Sequence, residues 1–183
     1  MDDLQAIQRL KDGDIGGLEY LVARYQSKAV RAAFLITHDE TLAEDVVQDT
    51  FVRIYHHINH FDLSRPFEPY LLRSVVNAAL NVAQKADRHL SMDGDLDQVE
   101  GLLSQAASVE SDVEYIQLKQ MIVAALARLE PRQRTVVIQR YYLEMSEKEM
   151  AVALDAPPGT VKWLLNTARA KLRNLLGSEG SAE

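Results

Sequence analysis

The sequence contains no cysteine among its 183 residues, and only 8 glycines and 5 prolines. Without cysteine the chain has no disulfide, no thiolate metal site and no cysteine nucleophile, so we expect a cytoplasmic protein. With 47% hydrophobic and 26% charged residues, a collagen-like or wholly disordered chain is excluded. No apolar run approaches the roughly 18 residues that a membrane helix needs. The acidic start, Met1-Asp2-Asp3, differs from a signal peptide, and we expect no direct membrane insertion.

The charge of the chain is distributed unevenly. A net charge of −7 argues against a generic nucleic-acid binder, but residues 160–176 contain four basic residues and no acidic one. Residues 90–111 contain five acidic residues and no basic one, and are rich in Gly, Ser and Asp. We interpret this stretch as a flexible acidic linker between two small domains, residues 1–89 and 112–183. The alternative is a surface loop within a single domain.

Hydrophobic residues recur with a helical period almost everywhere, and no alternating strand pattern is found. The pattern predicts eight helices, over residues 4–11, 15–37, 42–60, 68–88, 113–129, 132–143, 147–154 and 161–176. Pro131 suits a first helical turn, Ser146 with Glu149 is typical of a capping box, and Thr160 is a good N-cap residue. The predicted fold class is therefore all-α, with two small helical domains.

The last two predicted helices have the layout of a helix-turn-helix, in which a short helix and a tight turn precede a longer basic helix. One side of the longer helix is an apolar stripe. The other side carries Lys162, Asn166, Arg169 and Arg173. Lysine and arginine contact phosphates and guanine edges, and asparagine can read adenine, so this side suits a DNA major groove. The alternative is a solvated amphipathic helix.

The predicted helix over residues 68–88 carries a polar row opposite its apolar stripe. The row consists of Tyr70, Arg73, Asn77, Asn81, Gln84 and Arg88. Because asparagine is a middling-to-poor helix former, two asparagines in mid-helix need a compensating reason. An aromatic ring, a cation and amides are the groups that bind single-stranded bases. An ordinary polar surface is the alternative.

The predicted helix over residues 42–60 begins with an acidic outer face, which includes Asp45, Gln48 and Asp49. This face is either a docking patch for a basic partner or a consequence of the helix dipole, which favours acids near a helix start. His56 and His60 are spaced to bind zinc, but we expect ordinary surface histidines. No phosphate-binding glycine loop or catalytic triad is found. We therefore expect no catalytic residue, cofactor or metal, and no enzyme.

Three motifs resemble those of extracytoplasmic-function (ECF) sigma factors of bacterial RNA polymerase, in the sigma-70 family. They are AEDVVQDTF over residues 43–51, PYLLRSVVN over residues 69–77, and GTVK over residues 159–162 followed by Ala168-Arg169. The resemblance implies that the N-terminal domain binds the clamp helices of core polymerase and melts the minus-ten element. It also implies that the C-terminal domain binds the flap and the minus-thirty-five element, with the linker in the active-site channel and RNA exit path.

The resemblance assigns residues to each contact. Polymerase binding falls on Asp45, Gln48 and Asp49. Minus-ten binding, to duplex and single-stranded promoter DNA, falls on Ser64, Arg65, Tyr70, Arg73, Asn77 and Asn81. Asn77 would line the pocket for a flipped base, over which the loop of residues 63–66 closes. Minus-thirty-five binding falls on Thr160, Lys162, Trp163, Asn166, Arg169 and Arg173.

The sequence also departs from the family pattern. Tyr70 stands where tryptophan is usual, and Trp163, Leu164 and Thr167 stand where a serine and two arginines are frequent. The three departures at residues 163, 164 and 167 bear on which minus-thirty-five sequence is recognised, and not on membership of the family. We expect Trp163 to brace the neighbouring helix rather than to contact a thymine methyl.

The resemblance further implies a nucleoid-associated cytoplasmic protein and an anti-sigma factor that can hold it at the membrane. Two other functions stay open at this point. One is a helix-turn-helix regulator that binds duplex DNA alone. The other is an interaction protein that binds polymerase or an anti-sigma factor without reading promoters.

Overall fold

The computed structural model describes residues 1–89 and 113–179, and the expected linker lies outside these ranges. The first range contains α1 (Asp3–Lys11), α2 (Gly16–Thr37), α3 (Glu40–His57) and α4 (Phe67–His89). The second contains α5 (Val113–Ala127), α6 (Pro131–Val137), α7 (Glu147–Ala153) and α8 (Pro158–Glu179). No strand occurs in either described range, and the all-α prediction with two helical domains is confirmed.

Local sequence signals at Pro131 and Ser146 were predicted correctly and mark two helix starts. Pro131 is the first residue of α6. At the start of α7 the Ser146 hydroxyl accepts a hydrogen bond from the Glu149 N–H, and the Glu149 carboxylate accepts one from the Ser146 N–H at 2.8 Å. Both bonds satisfy N–H groups that have no partner within the helix.

Three helix predictions differ most from the structure in their bounds. The helix predicted over 42–60 begins at Glu40 and gives way to a 3-10 turn, Ile58–His60. The helix predicted over 132–143 ends at Val137 and continues as a single π-helical turn, Ile138–Tyr142. The last helix begins at Pro158, so Thr160 is not its N-cap. Proline is tolerated there because the first-turn N–H groups need no intrahelical partner.

The N-terminal domain is a bundle of α1 to α4 around large buried side chains, among them Leu21, Phe34, Val47 and Leu71. The helices α1 and α2 approach each other closely at Gly17. A Cβ atom at this position would lie 2.1 Å from the carbonyl oxygen of Ala6. Glycine is therefore required there by the packing of α1 on α2.

The two domains are in direct contact. The hydrophobic cluster of the N-terminal domain extends to Leu126, Val137 and Ala168 of the C-terminal domain. Conversely, Leu80 of α4 belongs to the second cluster, which is otherwise built from α6, α7 and α8. Composition and charge predicted two domains and a linker, and the structure adds an apolar contact between the two described parts of the chain.

Arg134 of α6 connects the domains by hydrogen bonds. The residue is only 8% exposed, and its guanidinium donates to the carbonyls of Leu126, Ala127 and Leu129 at the end of α5, at 3.0–3.1 Å. It also donates to the carbonyl of Ile36 near the end of α2. Carbonyls at helix ends lack intrahelical partners and lie at the negative end of the helix dipole, so they favour a cation.

His38 follows α2 in a left-handed conformation, with φ of 54°. Both ring nitrogens are buried and lack a hydrogen-bond partner among the described residues. Burial, together with the positive charge of Arg134, lowers the pKa of His38 to about 3. His38 is therefore neutral in the folded chain at neutral pH.

This pKa predicts a loss of stability in mild acid. Between the unfolded-state pKa of about 6.5 and the folded-state value, the unfolded chain binds one more proton, so the free energy of unfolding falls as pH falls. Between pH 7.5 and 5.5, above the range in which carboxylates titrate, His38 should contribute a loss of about 1.4 kcal/mol. Urea denaturation of parent and His38→Asn, followed by circular dichroism, measures this difference. Asparagine tolerates left-handed φ, and equal pH dependence in both proteins would contradict the assignment.

Candidate functional site

The acidic face of α3 is exposed and lies beyond the first helical turn. Asp39 caps this helix, since its carboxylate accepts a hydrogen bond from the Leu42 N–H at 2.9 Å. Asp45, Gln48 and Asp49 are all exposed, as predicted. The favourable effect of the helix dipole on acids is confined to the first turn. The dipole therefore does not account for Asp45 and Asp49, neither of which forms an ion pair with another described residue.

A cleft of about 390 Å³ lies between α3 and α4. The minus-ten candidates Tyr70, Asn77 and Asn81 line it from α4. Opposite them, α3 contributes Arg53 and His57, which the sequence analysis did not single out. The sequence could have indicated Arg53 and His57, because positions 50, 53, 54 and 57 of α3 share one helix face.

Asn77 is the polar group of this cleft that the fold does not satisfy. Its Oδ1 atom is buried and has no hydrogen-bond partner among the described residues. A buried polar atom without a partner costs about 1–3 kcal/mol. The fold alone therefore gives no reason for an asparagine here, whereas a hydrogen-bonding ligand in the cleft would.

Aromatic packing fixes the Tyr70 side chain, which lines the cleft. The ring of Tyr70 lies 5.0 Å from that of Phe61 and 6.4 Å from that of Phe67, centroid to centroid. Phe61 and Phe67 are buried, whereas Tyr70 is 38% exposed. The two phenylalanines therefore fix a tyrosine ring that is still partly open to a stacking base.

The loop before α4 is organised by Asp62. Its carboxylate accepts hydrogen bonds from the Ser64 hydroxyl at 2.7 Å and the Ser64 N–H at 3.0 Å, and these two bonds lower the pKa of Asp62. Arg65 forms an ion pair with the same carboxylate at 3.4 Å. The loop candidates Ser64 and Arg65 thus share one anchor, which the sequence analysis did not identify.

The polar face of α8 is exposed as predicted. Lys162, Asn166, Arg169 and Arg173 are all exposed, while Val161, Leu165 and Ala168 are buried. Thr160 is half-buried in the first turn. Trp163 is 61% exposed and belongs to neither hydrophobic cluster, so the expectation that it braces a neighbouring helix was wrong.

Arg169 has a partner that the sequence analysis missed. Its Nε donates a hydrogen bond to the hydroxyl of Tyr141 at 2.8 Å, and its guanidinium lies 5.8 Å from the centre of that ring. Tyr141 comes from the π-helical turn and is itself 59% exposed. Only the tertiary arrangement brings these two side chains together.

The described residues contain no group of three or more His, Asp or Glu side chains that could hold a metal ion, and His56 and His60 gather no further ligand. No helix within the described ranges is both long and apolar enough to cross a membrane.

Comparison with known proteins decides the family. Residues 21–89 match the family model for sigma-70 region 2, and residues 119–172 match the model for sigma-70, region 4. The RNA polymerase sigma factor CnrH of Cupriavidus metallidurans is 30% identical over 164 residues, which cover 87% of this chain and 86% of CnrH. The ECF RNA polymerase sigma factor SigW of Bacillus subtilis is 28% identical over 176 residues, which cover 93% of this chain and 94% of SigW. The chain belongs to the ECF sigma factors of the sigma-70 family.

Solved structures agree with this assignment. CnrH in complex with the cytosolic domain of CnrY matches this sigma factor with a TM-score of 0.63 and 27% identity, over 96% of this chain and 97% of CnrH. The sigma factor RpoE of Bartonella quintana, in complex with the anti-sigma factor NepR, shares the fold with a TM-score of 0.61. That match has 20% identity and covers 87% of this chain and 96% of RpoE.

The chain is an alternative sigma factor, which directs promoter recognition by RNA polymerase. Region 2 covers most of α2 together with α3 and α4, and hence the acidic face and the cleft. Region 4 covers the helices that carry the basic face. Both sigma-70 regions are present in one chain. The two alternative functions, a helix-turn-helix regulator that acts alone and a pure interaction protein, are therefore set aside.

Proposed function

We propose that this sigma factor uses three separate surfaces in initiation. The acidic face of α3 docks on core polymerase, the cleft between α3 and α4 captures the opened minus-ten strand, and the basic face of α8 binds the minus-thirty-five duplex. The observation that carries the proposal is the unsatisfied Asn77 in a cleft with an aromatic ring and a cation. In this proposal residues 1–89 and 112–183 are the two functional domains and residues 90–111 are the linker.

Binding of an extruded base explains how strand opening proceeds without ATP. The cost of unstacking one base is a few kcal/mol, which contacts to the flipped base can offset. Tyr70 supplies a stacking surface, Asn77 an amide for a base edge, and Arg53 a cation for the backbone. The protein then acts by binding, as a cytoplasmic transcription factor and not as an enzyme.

A partner protein of the anti-sigma class is part of the proposal. CnrH has been solved with the cytosolic domain of CnrY, and RpoE of Bartonella quintana with the anti-sigma factor NepR. The similarity of this chain to CnrH over nearly its whole length supports a regulator of the same kind. The partner of this chain can be identified among the proteins that copurify with it.

The docking surface can be tested by reversing its charge. The double variant Asp45→Lys and Asp49→Lys should weaken binding to core polymerase on the order of 100-fold, because facing like charges cost several kcal/mol. The affinity for core polymerase is measured with a fluorescently labelled sigma factor, and circular dichroism checks that the variant is folded. A control double variant, Asp12→Lys and Glu144→Lys, makes the same net change at two other exposed positions. Equal affinity of the two double variants would contradict the assignment.

The basic face of α8 predicts a change in salt dependence. A lysine or arginine that neutralises one phosphate adds about one unit to the slope of log K against log salt. For holoenzyme binding to duplex promoter DNA, Lys162→Ala and Arg169→Ala should each make this negative slope shallower by about one unit. Lys171→Ala, on the opposite side of the same helix, should leave it unchanged. If all three variants retain the parent slope, this face does not contact DNA.

Strand opening should depend on Asn77. Because alanine is the better helix former, Asn77→Ala should keep or slightly raise stability. It should lose about 1–3 kcal/mol of discrimination at one minus-ten base. Permanganate footprinting of the promoter bubble measures opening by holoenzyme, and Asn174→Ala in α8 controls for the substitution.

A template already mismatched at the minus-ten element separates this role from a general defect. Part of the opening cost has been removed there, so Asn77→Ala should recover partly on it. Polymerase affinity and binding to the minus-thirty-five duplex should match the parent. Parent-like opening and base preference on the closed template would mean that the polar row is only a solvated surface.

A further inference from the structure

Trp163 is a large apolar residue on the exposed side of α8. It is 61% exposed and belongs to neither hydrophobic cluster of the described residues. A tryptophan that becomes buried contributes strongly to an interface, because its apolar surface is large. The free chain leaves most of this surface in water, so the indole is available to a bound partner.

The indole lies near the middle of the exposed side of α8. The buried side of this helix is formed by Val161, Leu164, Leu165 and Ala168. At about 100° per residue, the direction opposite to these four passes between Trp163 and Asn166, within about 30° of each. Lys162 lies on the flank of the exposed side, about 70° from this direction. An indole and an amide are therefore the outermost side chains in the first half of α8.

The start of α8 is open to an approaching duplex. Gly159 lies one turn before Trp163, and a Cβ atom there would lie more than 4 Å from every described side chain except those of its two chain neighbours. In a helix-turn-helix, the N-terminal residues of the second helix contact base edges in the major groove. Trp163 is the sixth residue of α8, which begins at Pro158. It therefore lies in the part of the helix that enters the groove.

Of the three departures from the family pattern in α8, Trp163 is the one that faces outward. Leu164 is only 5% exposed and belongs to the core of the helix-turn-helix. The hydroxyl of Thr167 donates a hydrogen bond to the carbonyl of Trp163 at 2.9 Å, so this hydroxyl is engaged by its own helix. A change in base recognition through these three positions therefore falls on the indole.

A thymine methyl group is the part of the major groove that an indole can recognise. Among the four bases, only thymine presents a methyl group there. The indole N–H is a donor only, and adenine and guanine both present an N7 acceptor, so this N–H does not distinguish the two purines. Asn166, three residues after Trp163, carries the amide that suits adenine. An indole beside an amide thus matches A·T pairs, in which each adenine has a thymine opposite.

We propose that Trp163 is a specificity-determining residue of this sigma factor, and that its indole packs on the methyl group of a thymine in the minus-thirty-five element. The inference rests on the proposed function of α8 in binding that element. It adds the base that is selected and the chemical group by which this base is distinguished.

Removal of one methyl group from the DNA tests this contact. The probe is a duplex promoter that the parent holoenzyme selects from a pool randomised at the minus-thirty-five element. Each thymine of the element, on either strand, is replaced in turn by deoxyuridine, which lacks only the methyl group. One replacement should weaken binding of the parent holoenzyme about fourfold, since one buried methyl group is lost. Holoenzyme with Trp163→Ala should bind the thymine and deoxyuridine duplexes equally.

Lys162→Ala is the matched control, because it truncates the neighbouring exposed side chain of the same helix. It should weaken binding to both duplexes and keep the fourfold ratio. If Lys162→Ala binds as tightly as the parent and no replacement matters, the proposed function of this face fails, and the inference fails with it. If Lys162→Ala binds more weakly but the parent ignores every replacement, or Trp163→Ala keeps the parent ratio, only the role of Trp163 is overturned.

Photochemical crosslinking tests the same contact without any change in the protein. Trp163 is the single tryptophan of the chain. Bromodeoxyuridine, whose bromine is similar in size to a methyl group, replaces the sensitive thymine, and near-ultraviolet light crosslinks it to an aromatic side chain in contact with it. Mass spectrometry of the sigma chain from irradiated holoenzyme should find the nucleotide on the peptide that contains Trp163. A crosslink elsewhere in the chain, or none, would overturn the inference.

Discussion

The structure depends on the packing of α4, which contacts its surroundings on three sides. Its apolar stripe, with Leu71, Val75 and Ala79, is completely buried in the N-terminal bundle. Each large side chain buried there contributes about 1.5–3 kcal/mol, so the helix is fixed without help from its other sides. Those sides are then available for the cleft with α3 and for the second domain. A helix anchored by one buried face can carry further surfaces on its other sides.

Charge is separated between surfaces rather than balanced within them. The acidic face of α3 and the basic face of α8 lie on different domains, so the net charge of −7 describes neither surface. Phosphate contacts supply most of non-specific DNA affinity, and a net negative chain has little of it. This distribution suits a factor that binds promoters together with polymerase and only weakly alone. The overall charge thus limits non-specific DNA binding, while three basic side chains on α8, Lys162, Arg169 and Arg173, keep one face locally cationic.

Sequence patterns predicted what is local and missed what is tertiary. Ser146 and Glu149 satisfy each other within one turn, so the start of α7 could be read from the sequence. The hydrophobic periodicity of a helix shows which face a residue occupies, but it does not show which other element covers that face. Leu80, Arg134 and Tyr141 were therefore missed, since their partners are far away in sequence. The candidate residues of the three surfaces came from motifs, whereas Arg53 and Asp62 became visible only in the folded arrangement.

The polar residues of α4 work against its stability as a helix. Asparagine costs several tenths of a kcal/mol relative to alanine in a helix interior, and the buried Oδ1 of Asn77 lacks a partner among the described residues. An apolar residue at this place would face Ile54 of α3, which also lines the cleft. Selection for stability alone would therefore close the cleft. That it stays open and polar is consistent with a ligand that supplies the missing hydrogen bond, and a nucleobase edge has donors of the right kind.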